Sequence, residues 1–260
     1  MVASRCSPPT FALINAISVM IGISICVYSF NDVNDMDMDK ANKTKSMRPL
    51  PSGKVTVKEI LSLSLISGLI GLSLALLYST SAFLLSATYI TLGIAYSQHP
   101  IRLKKRFILK EVTTVIGLFI SFLIGGTAVG TIPWSVLAGA SIMLMYFFAV
   151  YPLFADAGDI ESDKMYGCKT LAMVLKWKTK VEIAIGVTIA IMTTTTLAYA
   201  NLGLNVICPI IVCAACLLFL RYLFPLLTSQ EGKYVLVAGR FYRILGLIIQ
   251  AGFVVGSLVF

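Results

Sequence analysis

The sequence predicts an all-α fold, a polytopic membrane bundle of about eight transmembrane helices around a central cavity that opens to the cytoplasmic side. Three observations carry that expectation. The chain is 58% hydrophobic and only 13% charged, with a mean hydropathy of +0.89. Several stretches reach the roughly 20 apolar residues that a helix needs to cross a bilayer. Every Lys and Arg except Arg5 falls on one side once those stretches are threaded through a membrane. A water-soluble domain of 260 residues is excluded by the first observation, and the whole of 1–260 reads as a single transmembrane domain.

The elements follow in order. Residues 1–9 are a short polar lead, and 10–30 form the first span, too long for the apolar core of a cleavable signal. Residues 40–56 are a basic loop broken by Pro49, Pro51 and Gly53. Spans are expected at 57–78 and 81–97, followed by a second basic loop with Arg102, Lys104, Lys105, Arg106 and Lys110. The fourth span covers 110–130, and Pro133 with Trp134 marks a turn and an interfacial anchor before the fifth, 134–155. Residues 164–180 are a third basic loop, and spans at 181–200, 204–227 and 239–259 complete the count. The turns at 79–81, 130–133 and 200–204 carry no Lys or Arg. The positive-inside rule therefore places the basic loops in the cytoplasm and both termini outside. The net charge of +9 is accounted for by this topology and is not a nucleic-acid signal. Cys213-Ala-Ala-Cys216 lies within an apolar run and reads as packing, so no disulfide framework is implied.

Two acidic windows stand out against this apolar background. Asn31-Asp-Val-Asn-Asp-Met-Asp-Met-Asp39 and Asp156-Ala-Gly-Asp-Ile-Glu-Ser-Asp163 hold eight of the twelve acidic residues. Both contain D-x-x-D-x-x-x-D, at Asp32/Asp35/Asp39 and at Asp156/Asp159/Asp163, and each follows directly on an apolar span. At helical spacing Asn31, Asp32, Asp35 and Asp39 share one face, as do Asp156, Asp159 and Asp163, while Asp37 and Glu161 point away. Clustered carboxylates repel one another unless a cation lies between them, which suggests a hard divalent ion, Mg²⁺. Basic loops beside them can hold a polyanion, and a diphosphate on an apolar chain suits a head at the membrane surface with its tail among helices. Loss of diphosphate from such a chain leaves an allylic cation, which aromatic faces stabilise; Tyr96, Tyr146, Phe147, Phe148 and Tyr151 are available, although any one of them is more often packing.

These residues resemble the motifs of the UbiA superfamily of intramembrane prenyltransferases. The first window resembles N-D-x-x-D-x-x-x-D, and Arg48-Pro-Leu-Pro-Ser-Gly53 resembles the R-P-[LI]-P-S-G that follows it. Tyr96-Ser-Gln-His-Pro-Ile-Arg102-Leu-Lys104-Lys-Arg106 resembles the next cytoplasmic loop, and Asp156 to Asp163 with Lys164, Gly167 and Thr170 resembles the second motif. Four motifs in order over most of the chain make the resemblance specific; the D-G-x-x-A-R surround of CDP-alcohol phosphotransferases is absent. The resemblance implies that Asn31, Asp35 and Asp39, supported by Asp32, hold one Mg²⁺, and that Asp156, Asp159 and Asp163 hold another. It implies diphosphate contacts from Arg48, Lys104 and Lys164, with Arg102 and Lys169 as further candidates. Asp35, Asp159, Lys104 and Tyr96 would then take part in the chemistry. The family usually has nine spans, one of them ahead of the first-motif helix; here the motif begins at residue 31, so that first helix is expected to be absent.

The implied activity is Mg²⁺-dependent transfer of a polyprenyl group from polyprenyl diphosphate to a hydrophobic acceptor in or at the lipid bilayer of the cell membrane. The acceptor is a lipid such as geranylgeranylglyceryl phosphate or an aromatic quinone precursor. Lys45-Ser-Met-Arg48-Pro departs from the R-T-x-x-R-P of the haem-modifying branch. A competing class is a transporter that uses the carboxylates as a cation or lipid-phosphate site, but such sites are expected near midplane rather than at helix ends. His99, the single histidine, reads as a solvated loop residue.

Overall fold

The computed structural model describes residues 10–42, 45–127, 132, 134–155, 160–228 and 232–258, with the side chains of 161–163 and 232–237 outside that description. All of the regular structure among the described residues is helical. The helices are α1 (Thr10–Ala41), α2 (Val57–Tyr78), α3 (Thr80–Ser97), α4 (Leu109–Thr127), α5 (Trp134–Ala149), α6 (Tyr151–Ala155), α7 (Ile160–Met165), α8 (Leu171–Val174), α9 (Trp177–Ala198), α10 (Ile207–Leu223) and α11 (Gly232–Gly256). Short 3₁₀ turns lie at Leu103–Lys105 and Phe224–Leu227.

Among the described residues, seven segments are long and apolar enough to cross a membrane, where eight were expected. The expected span not among them is α3, whose 18 residues include Thr80, Ser81, Ser86, Thr88, Thr91 and Ser97. Hydroxyls lower its hydropathy, yet Thr88 and Thr91 return their protons to the carbonyls of Leu84 and Ala87 at 2.8 Å, so they add no unmet donor.

The helices pack as two compact units. One is built from α1 to α4 with the segment 161–169. Its core joins Val19 and Ile23 of α1, Ala75 of α2, Ala82 of α3, and Ile120 and Ile124 of α4. α1 does not end with its apolar run at residue 30: the helix continues to Ala41, so the first acidic window forms its last turns. α1 and α2 touch backbone to backbone, because a Cβ on Gly22 would sit 2.9 Å from both the Gly71 Cα and the Ser67 carbonyl oxygen. Thr56-Val-Lys-Glu59 starts α2 with a capping box, in which each side chain satisfies the other's backbone N–H. Ser79 alone joins α2 to α3, and its hydroxyl accepts the Ala82 N–H at 3.0 Å.

The second unit is built from α5 and α6 and the helices after residue 170. The span expected at 134–155 is present as Trp134–Ala155; it is divided at Val150 into α5 and α6, and Pro152, which has no N–H, is tolerated in the first turn of α6. Tyr146 is fully buried and donates to the carbonyl of Tyr242, against Gly246, where a Cβ would meet the ring at 2.9 Å. Rings of Tyr151, Phe154, Phe219 and Tyr242 pack around this point. The basic loop expected at 164–180 is shorter than predicted: α8 interrupts it, and α9 begins at Trp177.

Candidate active site

The polar end of α1 is the centre of the described site. Spacing of three and four residues places Asp32, Asp35 and Asp39 on one side of the helix. Asp35 and Asp39 are buried, at 8% and 3% exposure, whereas Asp37 is exposed as its position in the helix requires. The Asn31 amide N–H donates to Asp35 Oδ2 at 3.0 Å, one turn on.

Two loops bring cations to this face. The Arg48-Pro-Leu-Pro-Ser-Gly53 loop is held by buried Leu50 and by Gly53, whose φ of +77° suits glycine and whose N–H bonds the Leu50 carbonyl. It delivers the Arg48 guanidinium 2.9 Å from Asp39 Oδ2 and 3.8 Å from Asp32 Oδ1. The second loop leaves α3 after Ser97. Arg102 takes a left-handed φ of 37°, uncommon for a residue with a side chain, and leads into the 3₁₀ turn that carries Lys104. Arg102 donates to the main-chain carbonyl of Asn34 at 3.2 Å and lies 3.5 Å from Asp35 Oδ1.

Lys104 is the most enclosed cation, at 6% exposure. Its ammonium donates to the Asn31 amide oxygen at 2.9 Å and to Asp35 Oδ1, and it lies 5.9 Å from the ring centre of Tyr96. Burial pulls its pKa below the usual lysine range, while the adjacent Asp35 carboxylate pushes the other way.

The structure thus gathers Asn31, Asp32, Asp35, Asp39, Arg48, Tyr96, Arg102 and Lys104. Asp156 and Asp159 lie outside the described residues; Asp163 falls in α7, with its side chain outside them. Lys164 and Lys169 are exposed, the first at the end of α7. His99 is exposed in the loop, as expected. One member was missed by the sequence reading. Ser97 is completely buried and donates to the Asn31 amide oxygen at 2.7 Å. It lies inside the Tyr-Ser segment already singled out, but nothing in its spacing tells a buried donor from an exposed one.

Among the described residues, no group of three or more His, Cys, Asp or Glu side chains stands close enough to enclose a metal. The oxygen-only donor set still fits Mg²⁺. That ion usually takes one or two carboxylates and completes its octahedron with water and substrate phosphates, rather than with an all-protein cage.

A family model described as the UbiA prenyltransferase family matches residues 1–242. A digeranylgeranylglyceryl phosphate synthase of Sulfurisphaera tokodaii is 29% identical over 66% of this chain and 61% of its own length, so the chain spans under two thirds of that relative. A solved structure concerning digeranylgeranylglyceryl phosphate synthase in membranes superposes with a TM-score of 0.74 at 21% identity, over 99% of this chain and 89% of that one. A homologue from Archaeoglobus fulgidus, solved with DMAPP and Mg²⁺, gives 0.67 at 15% identity, over 95% and 89%.

Proposed function

The chain belongs to the UbiA prenyltransferase family, and from that premise we propose that it is a Mg²⁺-dependent transferase that moves a polyprenyl group from polyprenyl diphosphate to a hydrophobic acceptor in or at the membrane. The observation that carries this reading is the convergence of Lys104, Arg102 and Arg48 on the carboxylates at one helix end. Three cations and several oxygen ligands at the end of an apolar span suit a diphosphate head whose tail stays among helices.

Asn31, Asp35 and Asp39, with Asp32 in support, hold one Mg²⁺, and Asp156, Asp159 and Asp163 hold a second. Bound there, Mg²⁺ neutralises charge that develops on the departing diphosphate. Lys104, Arg102, Arg48 and Lys164 take the remaining diphosphate oxygens. Without substrate, the first three of these cations are engaged by the carboxylates themselves, so substrate binding exchanges one set of anionic partners for another. The bond from the prenyl C1 to the diphosphate oxygen breaks, and its electron pair leaves with the diphosphate. A lone pair of the acceptor forms the new bond to C1, and the acceptor hydroxyl releases its proton. Tyr96, beneath the Lys104 ammonium, fixes the direction from which that ammonium reaches the leaving group.

Geranylgeranylglyceryl phosphate is the acceptor that the resemblance to the Sulfurisphaera tokodaii enzyme supports. By the distribution of Lys and Arg, the site faces the cytoplasm. The test is an assay in membranes with Mg²⁺, labelled geranylgeranyl diphosphate and a panel of acceptors. Transfer to geranylgeranylglyceryl phosphate is the expected result. Transfer to an aromatic acceptor alone would overturn the acceptor, and no transfer to any would overturn the reaction.

A further inference from the structure

We propose that Tyr166 is a positioning residue that clasps the loop after the second acidic window onto the end of α1, and so sets the placement of Lys164 for diphosphate; this rests on the transferase reading above. The Tyr166 hydroxyl donates a 3.0 Å hydrogen bond to the main-chain carbonyl of Asp37, 129 residues away in sequence. That carbonyl lies between Asp35 and Asp39, the two buried carboxylates of the site. The contact uses the backbone, so it reads the position of the helix end and not the identity of side chain 37.

A second point of attachment lies two residues further on, where the Cys168 side chain is buried, at 6% exposure. Between the two anchors, Gly167 takes a φ of +72° and its N–H bonds the Lys164 carbonyl at 3.1 Å, closing the end of α7. A residue with a Cβ is strained at that φ, so the turn is fixed by the glycine. Anchors on both sides of a fixed turn restrict the loop before any ligand arrives. Lys164 itself is exposed. A loop ordered in advance loses less conformational entropy on binding, which favours affinity for the ligand over the rate of the chemical step.

The test compares Tyr166→Phe, which removes one hydroxyl and keeps the ring, with Asp37→Ala, which keeps the accepting carbonyl. Both are made in the full chain, in membranes for activity and in detergent for proteolysis. For Tyr166→Phe the KM for prenyl diphosphate should rise about fivefold, the effect of losing one ordinary hydrogen bond, with kcat nearly unchanged. Trypsin should cut faster after the exposed Lys164 and Lys169, and Mg²⁺ with inorganic pyrophosphate should protect them less than in the parent. Asp37→Ala should match the parent in both readouts. An unchanged KM in Tyr166→Phe overturns the proposal, as does a fall in kcat and thermal stability at constant KM. If the parent shows no prenyl transfer, the transferase reading fails on its own. The pyrophosphate-protection arm then decides the clasp, and equal protection of parent and variant overturns it.

Discussion

The Ser97 hydroxyl donates to the amide oxygen of Asn31 at 2.7 Å, and Lys104 donates to the same oxygen at 2.9 Å. Both lone pairs of that oxygen are therefore engaged, and the amide N–H₂ is turned to Asp35 Oδ2. Asn31 can present its oxygen to a metal only when one of the two donors withdraws. Ser97, fully buried at the end of α3, is the fixed one, and Lys104 is the one with another partner to go to once diphosphate is present. Ser97→Ala should release the amide to rotate. The expected outcome is a rise of about tenfold or more in the Mg²⁺ concentration for half-maximal transfer, in the range of losing a partner that orients a metal ligand. A Mg²⁺ titration of activity checks it, and an unchanged curve contradicts it.

Lys104 should be irreplaceable by arginine. Lys104→Met keeps an apolar stem of similar length and removes the three donors now directed at Asn31, Asp35 and the Tyr96 face. The loss in kcat/KM should be about 10²- to 10³-fold, the scale for removing one preorganised donor to developing charge. Lys104→Arg restores the charge but brings a planar fork into a site closed to 6% exposure. It should recover less than a tenth of the parent activity. Steady-state kinetics on both variants decides between a specific ammonium and a general requirement for positive charge.

Carboxylates on the inner face of the α1 end should be sensitive, and the outer one should not. Asp35→Ala and Asp159→Ala should each abolish transfer at ordinary Mg²⁺, with at least about a 100-fold loss. Asp37→Asn should leave the rate within about twofold, because its carboxylate is exposed and turned from the cations. EDTA should stop the parent enzyme. Mg²⁺ should restore it better than Ca²⁺, which prefers more ligands at longer distances. Full activity in both alanine variants would remove the metal role of the two windows.

The part of the fold set by composition was legible in advance. Apolar runs and breakers placed most of the spans to within a few residues, and the periodicity of the first window put Asp35 and Asp39 inward with Asp37 outward. The misses have local causes. α1 runs on through its acidic end because Asp39 and Asp35 are neutralised by Arg48 and Lys104 from distant loops, which no window of the sequence can reveal. Ser97 and Tyr166 were beyond reach, since a serine at a helix end and a tyrosine in a loop acquire partners only through tertiary contact.

Two glycines should respond to alanine with opposite sign. In an α-helix, Gly→Ala ordinarily stabilises by roughly 1 kcal/mol through backbone entropy. At Gly186, inside α9, an added Cβ meets nothing within 4 Å, so that gain should survive and the midpoint of thermal unfolding in detergent should hold or rise. At Gly22 the same atom would lie 2.9 Å from the Gly71 Cα and 2.9 Å from the Ser67 carbonyl oxygen. Both are backbone atoms, so no side chain can rotate aside, and α1 and α2 must separate. Separation also loosens Val19 and Ile23 against Ala75, at the centre of that unit's core. Overpacking of this kind costs about 1–3 kcal/mol, enough to cancel the helix gain and more. Gly22→Ala should therefore melt below the parent. Because Asn31 and Asp35 ride on α1 while Lys104 follows α3, the shift should also weaken Mg²⁺-dependent transfer. A Gly22→Ala protein as stable as Gly186→Ala would mean that the close backbone approach of α1 to α2 is not what sets their spacing.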